Sequence, residues 1–113
     1  MTRRDPTKPL TEAEWQRIVL RIARQFGWRS YHTLNSWGSA KGFPDLVLVR
    51  PPRLVFAELK SDKGVVKPEQ EAWLTELGAS GADTYVWRPE DYEEVVRALS
   101  PAPVSGEQGV RRA

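Results

Sequence analysis

Pro44-Asp45 and, after a spacer of twelve residues, Glu58-Leu59-Lys60 are the residues of this chain whose types and spacing could do chemistry. Two carboxylates brought to one point are what a hard divalent cation needs, since Mg²⁺ takes oxygen ligands and keeps several waters for a substrate phosphate. A lysine beside them can polarise a water or screen a phosphoryl oxygen, which suits attack on a phosphodiester. The plainer alternative is that Asp45 caps a turn and Glu58 pairs with Lys60 on a wet strand. Context favours the site: an acid inside the apolar run Val55-Phe56-Ala57-Glu58-Leu59 is expensive without a ligand or partner.

Positioning those groups requires a hairpin. Leu46 to Val49 and Leu54 to Leu59 read as strands joined by Arg50-Pro51-Pro52-Arg53, and an antiparallel pair folds Asp45 and Glu58 towards one sheet end. The i, i+2 spacing puts Glu58 and Lys60 on the same face. Ahead of the hairpin, Thr11 is an N-cap, Glu12 and Glu14 suit a helix start, and Trp15, Ile18, Val19, Ile22, Ala23 and Phe26 recur at helical spacing until Gly27. Trp28 to Leu34 reads as a strand and Asn35 to Pro44 as a loop. After the loop Ser61 to Lys67, Pro68 opens a second helix with apolar Ala72, Trp73, Leu74 and Leu77, which Gly78 and Gly81 end. Thr84 to Trp87 is a further strand. Pro89-Glu90-Asp91 opens a last helix burying Tyr92, Val95, Val96 and Leu99. The order α-β-β-β-α-β-α predicts an α/β mixed sheet flanked by helices.

With 113 residues the chain has room for one domain, read as 11–99 between flexible tails at 1–10, which is basic, and 100–113. The absence of cysteine excludes a disulfide scaffold, a thiolate zinc site and a cysteine nucleophile. No apolar run approaches the roughly 20 residues of a membrane span, and no signal segment opens the chain, so the expectation is a cytoplasmic protein without a membrane partner. Net charge is only +2, yet Trp15 to Arg53 holds seven bases against one acid, and Leu54 to Leu99 five bases against ten acids. Arg17, Arg21 and Arg24 line one helix face and could follow a phosphate backbone, with a solvated face as the alternative. Ser36, Ser39 and Lys41 could touch phosphates from their loop, and Trp37 could stack on a base. Gly38 to Gly42 is no Walker loop, since it lacks the Gly-Lys-Ser/Thr ending. His32 is read first as a strand histidine with a satisfied partner.

Taken together, Glu12 with Gln16, Tyr31-His32-Thr33, Gly42-Phe43-Pro44-Asp45-Leu46-Val47-Leu48-Val49, Phe56-Ala57-Glu58-Leu59-Lys60, Gly64, Pro68-Glu69-Gln70 and Tyr85-Val86-Trp87-Arg88-Pro89 resemble the PD-(D/E)XK nuclease superfamily. More narrowly, they resemble the small stand-alone VRR-NUC domains of phages and bacteria. The resemblance implies a restriction-endonuclease-like fold and a DNA nuclease in which Asp45, Glu58 and the main-chain carbonyl of Leu59 hold Mg²⁺ or Mn²⁺, with Lys60 assisting the attacking water. It further implies that Gln70 looks into the site and that a first-helix glutamate completes it. The Glu-x-x-x-Gln pattern selects Glu12 over Glu14, and the other reading of both is complementation of the helix dipole. By analogy the activity would be a structure-selective endonuclease of junction or flap type, in a possible homodimer. The rival is a nucleic-acid-binding module of the same fold that does not cut.

Overall fold

The computed structural model describes residues 5, 7–34 and 38–101; Ser36, Trp37, half of the expected tail 1–10 and most of the expected tail 100–113 lie outside them. The elements run α1 (Glu12–Gln25), β1 (Arg29–His32), β2 (Leu46–Arg50), β3 (Arg53–Leu59), α2 (Pro68–Ala79), β4 (Asp83–Trp87), a 3₁₀ turn (Pro89–Asp91) and α3 (Tyr92–Leu99). The expected order holds, with the 3₁₀ turn added. At the start of α1 the Thr11 hydroxyl accepts the Glu14 N–H at 3.1 Å, and the Glu14 carboxylate accepts the Thr11 N–H at 2.9 Å. That reciprocal cap satisfies two orphan donors of the first turn.

The sheet has the order β1-β2-β3-β4. β1, β2 and β3 form an antiparallel meander, whereas β4 joins β3 in parallel after the crossover through α2. Leu46 stands opposite Ala57 and Leu48 opposite Val55, so Leu46, Leu48, Val55, Ala57 and Leu59 share one face. With Trp87 they pack against Trp15, Val19, Ile22 and Ala23 of α1 and Val95 and Leu99 of α3. The Trp87 carbonyl accepts both the Trp15 indole N–H at 3.0 Å and the Lys60 N–H at 3.1 Å, which joins α1, the end of β3 and β4 at one atom. On the other face Phe56 meets the edge of Phe43, and Phe43 the edge of Trp73 on α2.

Three expectations need correction. α2 buries none of its residues: Trp73, Leu74 and Leu77 are half-buried and Ala72 is exposed, because the helix lies over the sheet and among the described residues no element covers its outer side. Gly78 is inside α2 rather than at its end. It is a point of close approach, where a Cβ would lie 3.4 Å from the Thr84 hydroxyl of β4. Tyr92 is 48% exposed, since the 3₁₀ turn occupies the first turn of the expected last helix and the buried stripe of α3 begins at Val95. Among the described residues no helix is long and apolar enough to cross a membrane.

Candidate active site

Continuing the register by one residue sets Asp45, just before β2, across from Glu58. Both ends of the Asp45 neighbourhood are held. The Asp45 carbonyl accepts the Thr33 N–H at 2.9 Å, and the Thr33 hydroxyl donates to the Pro44 carbonyl at 3.1 Å. Across the hairpin the Asp45 carboxylate accepts the Leu59 N–H at 2.8 Å. The carboxylate is thus aimed along the end of β3 by backbone that the sheet itself fixes.

Glu58 is only 2% exposed. Its Oε2 accepts the Gln70 amide at 2.8 Å and lies 3.6 Å from the Lys60 ammonium, while its Oε1 is buried without a hydrogen-bond partner. Burial, then the Asp45 carboxylate, pushes the Glu58 carboxyl up to about 8, against a smaller downward pull from Lys60. Gln70 is itself oriented. Its Oε1 accepts the Lys67 N–H at the start of α2 at 2.8 Å, which turns its amide nitrogen towards Glu58.

Glu12 comes in from α1. Its Oε2 lies 3.5 Å from where a Cβ on Gly64 would sit, and the Lys60 Cδ lies 3.2 Å from the same point. Glu14 is engaged at the helix cap instead. The structure therefore brings Asp45, Glu58, Leu59, Lys60, Gln70 and Glu12 to one end of the sheet. Arg88, part of the Tyr85-Val86-Trp87-Arg88-Pro89 motif but given no role from the sequence, donates its guanidinium to the carbonyls of Ser61 at 2.8 Å and Gly64 at 2.7 Å. The motif does not reveal that contact, because the turn Arg88 grips is more than twenty residues away.

Arg17, Arg21 and Arg24 are exposed along α1, on the side away from Trp15, Val19 and Ile22, outside this cluster. Ser39 is exposed. Lys41 is exposed but stands 3.6 Å from the Glu69 carboxylate, and its carbonyl accepts the Trp73 indole N–H at 3.2 Å, so the loop is seated on α2. A backbone hydrogen bond at Glu69, then Lys41, holds the Glu69 carboxyl below its usual range. His32 pairs with Leu46, a core residue, so strand alternation sets it on the face opposite Asp45.

Among the described residues no three of His, Asp or Glu are gathered as a ready metal cage. The oxygen set is the Asp45 and Glu58 carboxylates, with the Leu59 backbone between them and Lys60. It fits a divalent cation on two counts: the buried Oε1 has no partner, and the Glu58 carboxyl is raised partly by a like charge that a cation would offset.

A model of the VRR-NUC domain family matches residues 7–90 of the chain. A solved structure described as "VRR_NUC domain protein" is similar with a TM-score of 0.65 and 21% identity, covering 81% of this chain and 87% of that one. No curated protein matches.

Proposed function

Because the chain belongs to the VRR-NUC family of nuclease-like domains, we propose that it is a Mg²⁺- or Mn²⁺-dependent deoxyribonuclease, a structure-selective endonuclease acting on junction or flap DNA. The observation that carries the reading is Glu58: a carboxylate buried at the end of a sheet, one oxygen held by Gln70, the other without a partner beside a second carboxylate. Asp45, Glu58 and the Leu59 carbonyl would hold the cation. When bound it supplies Lewis-acid polarisation of a phosphoryl oxygen and an acidified water.

The chain's own groups do the rest. Gln70 fixes the Glu58 rotamer by donating to Oε2, which leaves Oε1 to face the ligand. Leu59 does the same for Asp45 through its N–H. Near neutral pH Glu58 carries a proton, which would have to leave for the carboxylate to serve as a cation ligand. Lys60 has three donor hydrogens and stands beside Glu58, so it orients the attacking water and screens charge developing at phosphorus. Glu12, whose carboxylate lies with the Lys60 Cδ over Gly64, adds a carboxylate to the site from the α1 side. Arg17, Arg21 and Arg24 supply a phosphate-following stripe, with Ser39 and Lys41 as loop contacts. A homodimer belongs to the same reading, since a domain this small offers little surface for gripping two strands.

The test is cleavage of linear duplex, nicked, flap and four-way-junction DNA with Mg²⁺, Mn²⁺ or chelator. The expected result is metal-dependent cutting that favours branched substrates. Lys60→Met should keep Mn²⁺ binding by calorimetry and DNA binding in Ca²⁺, yet lose most turnover. Binding without cutting by the unmodified protein in either metal would overturn the enzyme reading in favour of a non-cleaving module; cutting of RNA alone would overturn the substrate.

A further inference from the structure

The turn at 61–64 lies directly behind Lys60, and its geometry is set from elsewhere. The Gly64 N–H donates to the Ser61 carbonyl at 3.2 Å, closing the turn, while Asp62 and Lys63 are exposed. Both ends of the turn are then gripped by one atom. Arg88 Nη1 donates to the Ser61 carbonyl at 2.8 Å and the Gly64 carbonyl at 2.7 Å, with the Asp62 carbonyl further off at 3.5 Å. Arg88 is itself anchored where β4 ends, because its N–H donates to the Asp91 carboxylate at 2.8 Å. Among the described residues its guanidinium forms no ion pair with a carboxylate, so the carbonyls of the turn are its described partners.

What rests on the turn is Gly64, and over Gly64 lie the Lys60 Cδ and the Glu12 carboxylate, 3.2 Å and 3.5 Å from the place a Cβ would take. A short turn bearing two exposed polar residues has many alternative geometries of similar energy. A guanidinium donating to both of its ends selects one, because charge-assisted hydrogen bonds are stronger than neutral ones and Arg presents its donors in a rigid plane.

We propose that Arg88 is a positioning residue: by clamping the turn at 61–64 it sets the floor on which Lys60 and Glu12 lie, and so holds the Lys60 ammonium beside Glu58. The catalytic consequence rests on the nuclease reading above; the placement of Lys60 does not.

The full chain carrying Arg88→Met or Arg88→Lys separates these. In Arg88→Met, kcat on junction DNA should fall about 10- to 100-fold, since small misplacements of a reacting group cost that much. The KM for DNA and the affinity for Mn²⁺ should stay within about twofold. Arg88→Lys should recover part of the loss. Exchange of the Gly64 amide hydrogen should rise at least about tenfold, that of Phe56 in β3 should not, and the Lys60 Cε resonance should move. Unchanged kcat with unchanged Gly64 exchange would overturn the proposal. A fall in kcat with Gly64 exchange and the Lys60 resonance at their parental values would also overturn it, because Arg88 would then act on substrate directly. If Arg88→Met does not fold, Gly64→Ala presses a methyl group towards Lys60 from the same turn; it should lower kcat and shift the Lys60 resonance, and leaving both unchanged would sink the idea. If the unmodified protein cuts no DNA, the nuclease reading fails, while Gly64 exchange and the Lys60 resonance in Arg88→Met still decide whether Arg88 places Lys60.

Discussion

Glu58 is both the least comfortable residue in the chain and the one on which its pH dependence turns. In chelator the folded chain keeps a proton on Glu58 up to about pH 8, whereas the ordinary value is 4.5. Between those values the folded state binds more protons than the unfolded state. The stability Glu58 contributes is therefore complete below 4.5 and is lost as pH rises through 8. Glu58→Gln should flatten that slope and exceed the parent at pH 8 by on the order of 1–3 kcal/mol, read by urea titrations at pH 5 and pH 8. Asp45 behaves differently because its carboxylate also accepts the Leu59 N–H. Asp45→Asn keeps an acceptor there and should abolish cutting without loss of stability. Asp45→Ala should abolish cutting and lose about 1 kcal/mol from the unpaired N–H; cutting at the parental rate would remove Asp45 from the site. The pair was legible in the sequence because an acid in an apolar strand is conspicuous and a hairpin brings its ends together. The Glu-x-x-x-Gln spacing already favours Glu12 over Glu14, and the structure adds what spacing does not show, that the Glu14 carboxylate closes the helix cap.

The loop before β2 shows what spacing alone conceals about elements. Gly42 has φ +84°, and a Cβ there would fall 2.6 Å from the Glu69 backbone carbon, so this loop is pressed onto the first turn of α2. Gly42→Ala should cost about 2 kcal/mol or more and weaken cutting by parting Asp45 from Gln70. Gly38 also has positive φ, +77°, but open space around it, so Gly38→Ala should cost only about 1 kcal/mol, with both glycine variants measured by urea titration. The sequence marks both glycines as loop residues. It cannot distinguish them, because which element the loop rests on is decided by Phe43 meeting Trp73 thirty positions away. α1 was readable to within a residue of its start, since its cap and its apolar stripe are local. The exposure of α2 was not readable: an apolar stripe announces a helix, but how deeply it sinks depends on what covers its other side.

For the molecule as a whole, the element order, the hairpin and, through the resemblance, the approach of Glu12 and Gln70 could be anticipated, whereas the parallel return of β4 and the grip of Arg88 on the turn at 61–64 are products of packing. The uneven charge along the chain has its own test. Reversing Arg17, Arg21 and Arg24 to Glu should weaken binding to all DNA sequences alike and lower the slope of log affinity against log salt by about 3, since each lost phosphate contact removes nearly one unit; an unchanged slope would leave the three arginines as a solvated face. The Trp87 carbonyl carries a different consequence, one concerned with time. It receives the Trp15 indole and the Lys60 N–H together, and it reaches them only once β4 has crossed over α2. Pairings so distant along the chain close slowly. In a refolding experiment the burial of Trp15 and Trp87 and the onset of DNA cutting should therefore rise with one shared rate constant. A chain still emerging during synthesis would be harmless to the nucleic acid around it until residue 87 has found its place.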